Sequence, residues 1–240
     1  MGSTAGAAIV RVSGLSKRFG RVTALDGVSF TLRQGEVLGL IGPNGAGKTT
    51  LFECVAGQLE LDAGEVAFDG AASARDLFYL PDSIAPWPHQ TLGWALDFVL
   101  GYFRGDLTRR KELVAAFKLE PLLATRLGAL SRGQRKRSLL ALGLLSGRPI
   151  VFADEPFDGL DLRQTREAAD ALRSEAARGR TLFLSIHQIA DAARVCDRFV
   201  LLSSGRVRGE GTLDELRQLV GTSIDRRAES ALEDVFLALA

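Results

Sequence analysis

Residues 42–49 read GPNGAGKT, and this stretch decides the fold. It fills the pattern Gly-x-x-x-x-Gly-Lys-Ser/Thr, in which glycines let successive backbone N–H groups approach phosphate oxygens without a Cβ in the way. Lys48 adds a point charge near the β- and γ-phosphates, and the hydroxyl of Thr49 can ligate Mg²⁺. The apolar run 36–41 has the length of a strand, and residues 50–55 continue as a helix whose positive dipole end faces the same anion. The sequence therefore predicts a phosphate-binding loop between a strand and a helix.

Length and composition are ordinary for a soluble globular protein. The chain has 240 residues, of which 46% are hydrophobic and 25% charged. This length allows one large domain or a core with an inserted lobe. Because the formal net charge is +1, there is no general electrostatic case for binding nucleic acid, and we expect no nucleic-acid partner.

The cellular compartment follows from cysteine usage and hydropathy. Cys54 and Cys196 are too few for a disulfide framework, and neither has metal-ligand spacing with the two histidines, which favours a reducing cytoplasm. No segment approaches the ~20 apolar residues that span a bilayer. Residues 1–6 lack the features of a signal peptide, and we expect residues 1–7 to be disordered. If the protein works at a membrane, another subunit must hold it there.

The strand signals fall into two groups. Short strands separated by Gly and Asp-Gly turns predict an antiparallel edge around the phosphate loop, at 9–12, 22–32 and 65–68. Another strand, 76–80, is stopped by Pro81. After residue 148, strands alternate with helices, which is typical of parallel βαβ units in an α/β fold. These elements are strands 150–153, 181–186 and 198–202 and helices 163–178 and 189–196.

Residues 86–147 have a helical pattern and are interpreted as an inserted lobe. Thr91 and Thr108 are predicted to cap its first two helices, and a third helix is predicted from Ser131 to Ser146. Two further helices follow the core: a capping box at 212–215 opens one, and 229–240 has an amphipathic pattern. We therefore expect one domain, 8–240, made of a core with a β edge (8–85 and 148–215), the lobe 86–147 and C-terminal helices over 216–240.

Two acids follow the apolar run 150–153. A buried parallel strand that delivers an acid at its carboxyl end is where an α/β nucleotide site needs a Mg²⁺ partner. Asp154 would hold the metal directly or through its waters, and Glu155 would polarise the attacking water. Alone, such a pair is more often a helix cap or a solvated turn. Beside a phosphate loop, we favour the metal and base roles.

Residues 130–134 read LSRGQ at the start of the third lobe helix, which by itself predicts a serine N-cap with a basic first turn. In combination with the loop and the acids, however, the sequence resembles an ATP-binding cassette (ABC) ATPase over nearly its whole length. The phosphate loop is Gly42, Pro43, Asn44, Gly45, Ala46, Gly47, Lys48, Thr49 and Thr50. LSRGQ is similar to the family signature, and Gly159-Leu160-Asp161 to the family's D-loop.

The resemblance implies an α/β phosphate-loop NTPase (RecA-like) core with an antiparallel β edge and a helical lobe. It implies that Phe19 stacks on adenine, that Ser131, Gly133, Gln134 and Asp161 bind ATP, and that His187 is the switch histidine. The metal would be Mg²⁺, held by Thr49, Asp154 and Asp82. Two cassettes, either two copies or this chain with a homologous one, would meet head to tail around two ATP molecules and drive an integral membrane permease subunit. The protein would lie at the inner face of the membrane.

Two positions depart from the family pattern. Arg132 stands where the signature has glycine, but Ser131 and the N–H of Gly133 remain for anion binding. Asp82 stands where relatives carry glutamine or, in the export branch, glutamate, and it keeps an oxygen ligand while losing the amide donor. The tail 231–237 further resembles the branch that powers exporters of drugs, antibiotics, ions or polysaccharides.

Three alternatives stay open at this point. The chain could be a soluble cassette ATPase that serves cofactor assembly, or a degenerate module that binds nucleotide without hydrolysing it. Glu155 and His187 argue against the degenerate module. The apolar groups Ile84, Trp87 and Trp94 fit a docking surface for the membrane subunit and core packing of the lobe about equally well.

Overall fold

The computed structural model describes residues 6–70, 72–82 and 84–220, which form two β-sheets and seven α-helices. In chain order the strands are β1 (Ala8–Phe19), β2 (Val22–Arg33), β3 (Val37–Ile41), β4 (Ala63–Phe68), β5 (Leu77–Leu80), β6 (Ile150–Asp154), β7 (Thr181–Ile186), β8 (Arg198–Ser203) and β9 (Arg206–Gly211). The helices are α1 (Lys48–Val55), α2 (Leu92–Tyr102), α3 (Leu107–Ala116), α4 (Arg132–Leu145), α5 (Leu162–Ala177), α6 (Ile189–Val195) and α7 (Leu213–Val220).

The smaller sheet is antiparallel, with strand order β2-β1-β4, as the sequence predicts. β1 is much longer than the predicted strand 9–12. Gly14 has φ 61°, which signals a turn in the sequence, but register shifts around Leu15 absorb it as a bulge and the strand continues. The small sheet also leans on the phosphate loop, since a Cβ on Gly47 would meet the carbonyl of Ala24 in β2 at 2.6 Å.

The larger sheet has the strand order β5-β6-β7-β3-β8-β9. In this spatial order, neighbouring strands from β5 through β3 to β8 pair in parallel. Every residue of β3, β6, β7 and β8 is buried, which explains their continuous apolar runs. The mixed α/β class is therefore confirmed. β9 was not predicted. It pairs antiparallel with β8 through the two-residue turn Ser204-Gly205, where both residues have positive φ.

The three long helices between β5 and β6 pack on one another, with α4 contacting α2, α3 and β5. Thr91 caps α2 and Ser131 caps α4, as predicted. The prediction that Thr108 caps α3 is wrong: Asp106 is the cap, and its carboxylate accepts a hydrogen bond from the Thr108 N–H at 2.9 Å. An aspartate two residues earlier competes for the same role, because both side chains can accept from the first turn.

The core lies on both faces of the larger sheet, and alternate residues of each strand serve opposite faces. On β6, for example, Val151 and Ala153 join the cluster with α2–α6, whereas Ile150 and Phe152 join the cluster with α1 and the small sheet. On that second face, the ring of Phe52 in α1 lies 4.7–5.3 Å from the rings of Phe152 and Phe183. This packing fixes α1, and with it the phosphate loop, against the sheet.

Three predictions fall wholly or mainly outside the described residues. These are the helix 229–240, the tail 231–237 that resembles the export branch, and the disorder of residues 1–7, of which only 6 and 7 are described. The capping box at 212–215 does form: the N–H of Glu215 donates to the Thr212 hydroxyl at 3.3 Å, and the N–H of Thr212 donates to the Glu215 carboxylate at 2.7 Å.

Candidate functional site

Four parallel strands end at the same edge of the larger sheet, and each delivers a predicted site residue there. β3 leads into the phosphate loop, β6 ends on Asp154, β7 is followed by His187, and β5 is followed by Pro81 and Asp82. The carboxyl ends of parallel strands are the usual ligand-binding edge of an open α/β sheet. Residues far apart in the sequence thus meet because of strand order.

The glycines of the phosphate loop have specific steric reasons. A Cβ on Gly42 would lie 2.3 Å from the carbonyl oxygen of Leu202 in β8, so only glycine lets the loop start against this strand. Gly45 and Gly47 have φ of 81° and 103°, in the left-handed region that favours glycine. Gly47 is the residue before α1 and has no side chain to cap the helix, so the first N–H groups of α1 are not capped by a side chain. Such a helix start suits an anion.

Lys48 is the first residue of α1, and its side chain is only 7% exposed. Its ammonium donates to the carbonyl oxygens of Gly42 at 2.8 Å and Pro43 at 3.3 Å, and lies 3.5 Å from Glu155 Oε1. The cation therefore sits inside the loop and is held by oxygen atoms. The same ammonium can donate to phosphate oxygens.

Asp154 is 2% exposed, and both of its carboxylate oxygens accept hydrogen bonds. The hydroxyl of Thr49 donates to Oδ2 at 2.6 Å, and the hydroxyl of Ser185 donates to Oδ1. The structure thus brings together Thr49 and Asp154, two of the three predicted metal ligands. Sequence reasoning missed Ser185; the signal was a single polar residue in the otherwise apolar stretch 182–186 of β7.

Glu155 and His187 contact each other at the same sheet edge. The Nδ1 atom of His187 lies 2.5 Å from Glu155 Oε2, and the other carboxylate oxygen faces Lys48. Glu155 has φ 48°, which is uncommon for a residue with a side chain, and the chain turns out of β6 at this point. A carboxylate held between a histidine and a lysine is suited to accepting a proton from water.

Asp82 makes a different contact from the predicted one. Its carboxylate pairs with the ammonium of Lys136 in α4 at 2.7 Å, and Lys136 is only 6% exposed. Nearby, the hydroxyl of Tyr79 is buried without a hydrogen-bond partner among the described residues. Burial first, then the negative charges of Asp154, Glu53 and Asp82, raise the pKa of this hydroxyl. The proton thus stays on Tyr79, which leaves it a donor for a polar ligand.

The signature residues lie at the start of α4, where Ser131 and Gln134 satisfy each other. The Ser131 N–H donates to the Gln134 side chain at 2.9 Å, and the Gln134 N–H donates to the Ser131 hydroxyl at 3.3 Å. The side chain of Arg132 is 70% exposed, but it has contacts: its stem packs on Gly159 of the D-loop, and its guanidinium pairs with Asp158, the residue before the D-loop.

The remaining residues that are predicted to bind the nucleotide are Gly133, Asp161 and Phe19. Gly133 packs against the D-loop, where its Cβ would lie 2.8 Å from the Gly159 carbonyl oxygen. Asp161 caps α5 by accepting from the N–H of Gln164 at 2.8 Å. The ring of Phe19 is 49% exposed at the end of β1, in the hairpin whose other strand touches Gly47. The Lys17 ammonium lies 5.7 Å from the centroid of this ring, and the exposed part of the ring is where a base would stack.

The oxygen donors at the sheet edge can be compared with the predicted Mg²⁺ site. Among the described residues, no group of three or more His, Cys, Asp or Glu side chains could hold a metal ion. Thr49 and Asp154 offer two oxygen atoms at one point, which fits Mg²⁺, since this ion usually keeps waters and takes the rest of its ligands from phosphates. The donor set therefore fits a Mg²⁺ ion that is bound together with phosphates.

A second surface consists of aromatic rings on and before α2. Trp87, Trp94, Phe98 and Tyr102 are 39%, 40%, 44% and 72% exposed. Trp94 and Phe98 stack at 5.2 Å, and Trp87 lies edge-on to both at 5.7 and 5.2 Å. Ile84, which the sequence grouped with them, is half-buried against the core. Phe98 and Tyr102 were missed, although successive steps of four residues from Trp94 place all three on one helix face.

These observations define a phosphate-loop ATPase, with a glycine loop, a buried lysine and paired acids at the strand ends. A family model described as ABC transporter matches residues 25–158, more than half of the chain. The chain therefore belongs to the ABC transporter family, and it is an ATPase and the nucleotide-binding subunit of such a transporter.

Curated relatives differ in length and in the direction of transport that their names state. The chain is 29% identical to the ABC-type transporter ATP-binding protein EcsA of Bacillus subtilis (strain 168), covering 96% of each. It is 34% identical to the Nod factor export ATP-binding protein I of Rhizobium sp. (strain N33), over 85% of this chain and 70% of that protein. It is 32% identical to the sulfate/thiosulfate import ATP-binding protein CysA of Caulobacter vibrioides, over 89% and 68%. It spans only 13% of human ATP-binding cassette sub-family A member 6.

Solved structures agree with the fold. A structure titled as the ATP-binding subunit of an ABC transporter superposes with a TM-score of 0.83 at 27% identity, covering 95% of this chain and 99% of that one. Within residues 6–70, 72–82 and 84–220, none of the helices has the length and apolarity to cross a bilayer.

Proposed function

We propose that the chain is the cytoplasmic ATP-hydrolysing subunit of an ABC exporter, peripheral at the inner face of the membrane, and that it works with a second cassette in a head-to-tail dimer. The observation that carries the catalytic part is the meeting of Lys48, Glu155 and His187 at one sheet edge. Export is supported by the sequence resemblance of 231–237 and by the printed name of the Nod factor relative.

In this proposal each residue has one task at the phosphates. The loop N–H groups and the start of α1 bind the phosphate chain, and Lys48 moves its donors from loop carbonyls to the β/γ-phosphate oxygens. Phe19 stacks on the adenine. Thr49 and Asp154 would hold Mg²⁺, with Asp82 as the third expected ligand, and the bound ion would supply positive charge beside the phosphates.

Glu155 is then the general base. Its carboxylate orients the attacking water and takes its proton, while His187, bonded to Oε2, keeps the carboxylate turned toward the phosphates. Glu155 Oε1 faces the Lys48 ammonium, so the proposed base and the phosphate-binding cation are direct neighbours. Positioning of this kind carries most of the catalysis in phosphoryl transfer.

The signature contributes in trans. Ser131, Gly133, Gln134 and Asp161 lie at the starts of α4 and α5, whereas the phosphate loop follows β3. We propose that residues 86–147 form a lobe that carries this signature to the ATP of the opposite subunit, as two-fold symmetry allows. A serine hydroxyl and a helix N-terminus then complete the γ-phosphate site from across the interface.

The membrane permease subunit docks on the aromatic surface of Trp87, Trp94, Phe98 and Tyr102. Trp87 has φ 46°, a strained conformation for a bulky residue, and holds its ring against two others. A cleft of about 450 Å³ is lined by Ile84, by Asp82 and by basic residues of the first turns of α4, of which Arg132 and Lys136 already pair with Asp158 and Asp82. The exposed rings therefore carry the proposal, and they fit a helix of the permease that has an apolar face.

Mixing two inactive variants tests the shared site. Ser131→Arg is expected to block ATP-driven dimerisation and hydrolysis while leaving the ATP affinity of the monomer unchanged, and Lys48→Ala is expected to abolish hydrolysis by weakening ATP binding. Each alone should be inactive, because every site needs both residues. Their mixture should regain at most one composite site per dimer.

Phosphate release and size-exclusion chromatography with Mg-ATP provide the measurements, with a fluorescent ATP analogue reporting affinity. Full activity of Lys48→Ala would contradict the phosphate-loop assignment. If Ser131→Arg destroys ATP binding by the isolated monomer, the two-chain site is wrong while the loop assignment stands.

A further inference from the structure

The hydroxyl of Ser185 contacts both acids of the site at once. It donates to Oδ1 of Asp154, and it accepts a hydrogen bond from the backbone N–H of Glu155 at 2.9 Å. Ser185 is fully buried, so neither bond is shared with solvent. One side chain therefore lies behind both the expected metal ligand and the expected base.

Strand register explains this position. In the parallel pair β6–β7, Asp154 lies opposite Ser185, and on its other side Ser185 lies opposite Leu40 of β3. Side chains of residues paired in this way stand on the same face of the sheet, which brings the hydroxyl to the carboxylate. The neighbours of Ser185 in β7, Leu182 to Leu184 and Ile186, are apolar and buried. A hydroxyl in such a strand is unfavourable unless it is hydrogen-bonded.

The donor and acceptor roles are fixed by chemistry. A serine hydroxyl has one hydrogen to donate, and a backbone N–H can only donate, so the proton of Ser185 points to Asp154 and its lone pair to Glu155. The bonds run in one direction, from the Glu155 N–H through the Ser185 hydroxyl to Oδ1. Oδ2 of Asp154 accepts from Thr49 at 2.6 Å. Both oxygens of the carboxylate are therefore oriented.

The second bond supports an uncommon backbone conformation. Glu155 has φ 48°, and its N–H points to Ser185 where the chain leaves β6. Such conformations are strained and persist only where surrounding contacts hold them. The hydrogen bond to the Ser185 hydroxyl therefore helps to set the direction in which the Glu155 side chain leaves β6.

We propose that Ser185 is a positioning residue of the ATPase site: it orients the Asp154 carboxylate toward the divalent cation and holds the turn that presents Glu155. This inference rests on the proposed roles of Asp154 and Glu155. Groups that orient a metal ligand typically contribute 10–100-fold to metal affinity or activity. A serine that only satisfies itself in the core would affect stability and leave the Mg²⁺ dependence unchanged.

The test uses three variants of the full chain. Ser185→Ala removes only the hydroxyl. Ser185→Thr and Ser185→Val have the same shape, but only the threonine keeps the hydroxyl, so they separate hydrogen bonding from volume. The measurement is the equilibrium affinity for a fluorescent ATP analogue, titrated with Mg²⁺ and repeated in EDTA, with thermal melting as the control for folding.

We expect Ser185→Ala and Ser185→Val to need roughly 10–100-fold more Mg²⁺ to reach tight binding, while Ser185→Thr stays close to wild type and all EDTA affinities stay equal. If the β-branched variants do not fold, Ser185→Ala decides alone. A wild-type Mg²⁺ dependence in Ser185→Ala would overturn the inference and leave the proposed function intact. A wild-type chain whose affinity ignores Mg²⁺ would overturn the proposed metal site and this inference with it.

Discussion

The edge where β3, β6 and β7 end and the outer face of α2 present their side chains in opposite ways. At the sheet edge, Asp154 is 2% exposed and both of its oxygens are already bonded to Thr49 and Ser185. On α2, Trp94 and Phe98 remain 40% and 44% exposed and contact mainly other rings. One region keeps polar groups in fixed internal bonds, and the other keeps large apolar groups in water.

Under the proposed roles, the difference reflects the size of what each region would bind. A phosphate group and a metal ion are small, so the residues that meet them must be held to a fraction of an ångström by neighbours, which the hydrogen bonds at the sheet edge accomplish. A protein partner is large and gains affinity from apolar area, so its surface must stay exposed until binding. The stacking of the rings keeps that exposed surface in one shape, which lowers the entropy cost of docking.

Removing the base should give the largest effect. We predict that Glu155→Gln keeps ATP binding but lowers hydrolysis by ~10²–10⁴, because the amide cannot take the proton of the attacking water. The ATP-bound dimer should then accumulate and be visible by size-exclusion chromatography with Mg-ATP. Glu120→Gln, the same change at an exposed residue of a short turn, is the matched control and should behave as wild type.

Near-normal hydrolysis by Glu155→Gln would move the base elsewhere, with Asp82 the next residue to examine. It would also weaken the contrast between the two regions, since the bonds of Glu155 to His187 and Lys48 would then be structural.

Truncating the aromatic surface should have a smaller effect and a different one. We predict that Trp94→Ala with Phe98→Ala weakens binding to the permease by roughly 30-fold or more, the cost typical of central aromatic anchors. ATP hydrolysis by the purified subunit should not change, because these rings lie on α2, away from the strand ends. Co-purification with the permease from detergent extracts measures the first effect and phosphate release the second.

Leu162→Ala is the control for this experiment, since Leu162 is an exposed apolar residue on another helix, at 66% exposure. Equal co-purification of the aromatic double variant and this control would contradict the docking role. A fall in the hydrolysis of the isolated subunit would instead show that the rings support the fold of α2–α4.

Local sequence patterns predicted the parts of the fold that depend on local physics. The glycine loop, the buried parallel strands and the caps Thr91 and Ser131 each have their signal within a few residues. The antiparallel strand β9 was missed, although the Ser204-Gly205 turn that joins it to β8 is a local hairpin signal. The bulge that extends β1 past Gly14 was missed because it depends on the pairing of β1 with β2 and β4. In the site, the missed residue is Ser185, whose partners lie 31 and 30 positions away.

The two residues that depart from the family pattern, Arg132 and Asp82, have ion-pair partners that depend on contacts between elements. Nothing in the spacing of Arg132 and Asp158, or of Asp82 and Lys136, indicates an ion pair. Each pair exists because α4 packs beside the loops that follow β6 and β5. A single sequence shows which charges are present, and the packing shows which of them meet.

The ion pair between Asp82 and Lys136 joins the loop after β5 to α4, and we predict that its two single variants differ in free energy of unfolding by about 1 kcal/mol. Lys136 is 6% exposed and Asp82 34% exposed. Asp82→Asn leaves a buried ammonium without its carboxylate, whereas Lys136→Met leaves an acid that water can reach, so Asp82→Asn should be the more destabilising in urea unfolding at pH 7. The double variant should recover part of the loss, because it removes the uncompensated charge. Equal or reversed costs would mean that the pair contributes little. A loss of hydrolysis in Asp82→Asn that Lys136→Met does not share would place Asp82 in the metal–nucleotide site as well.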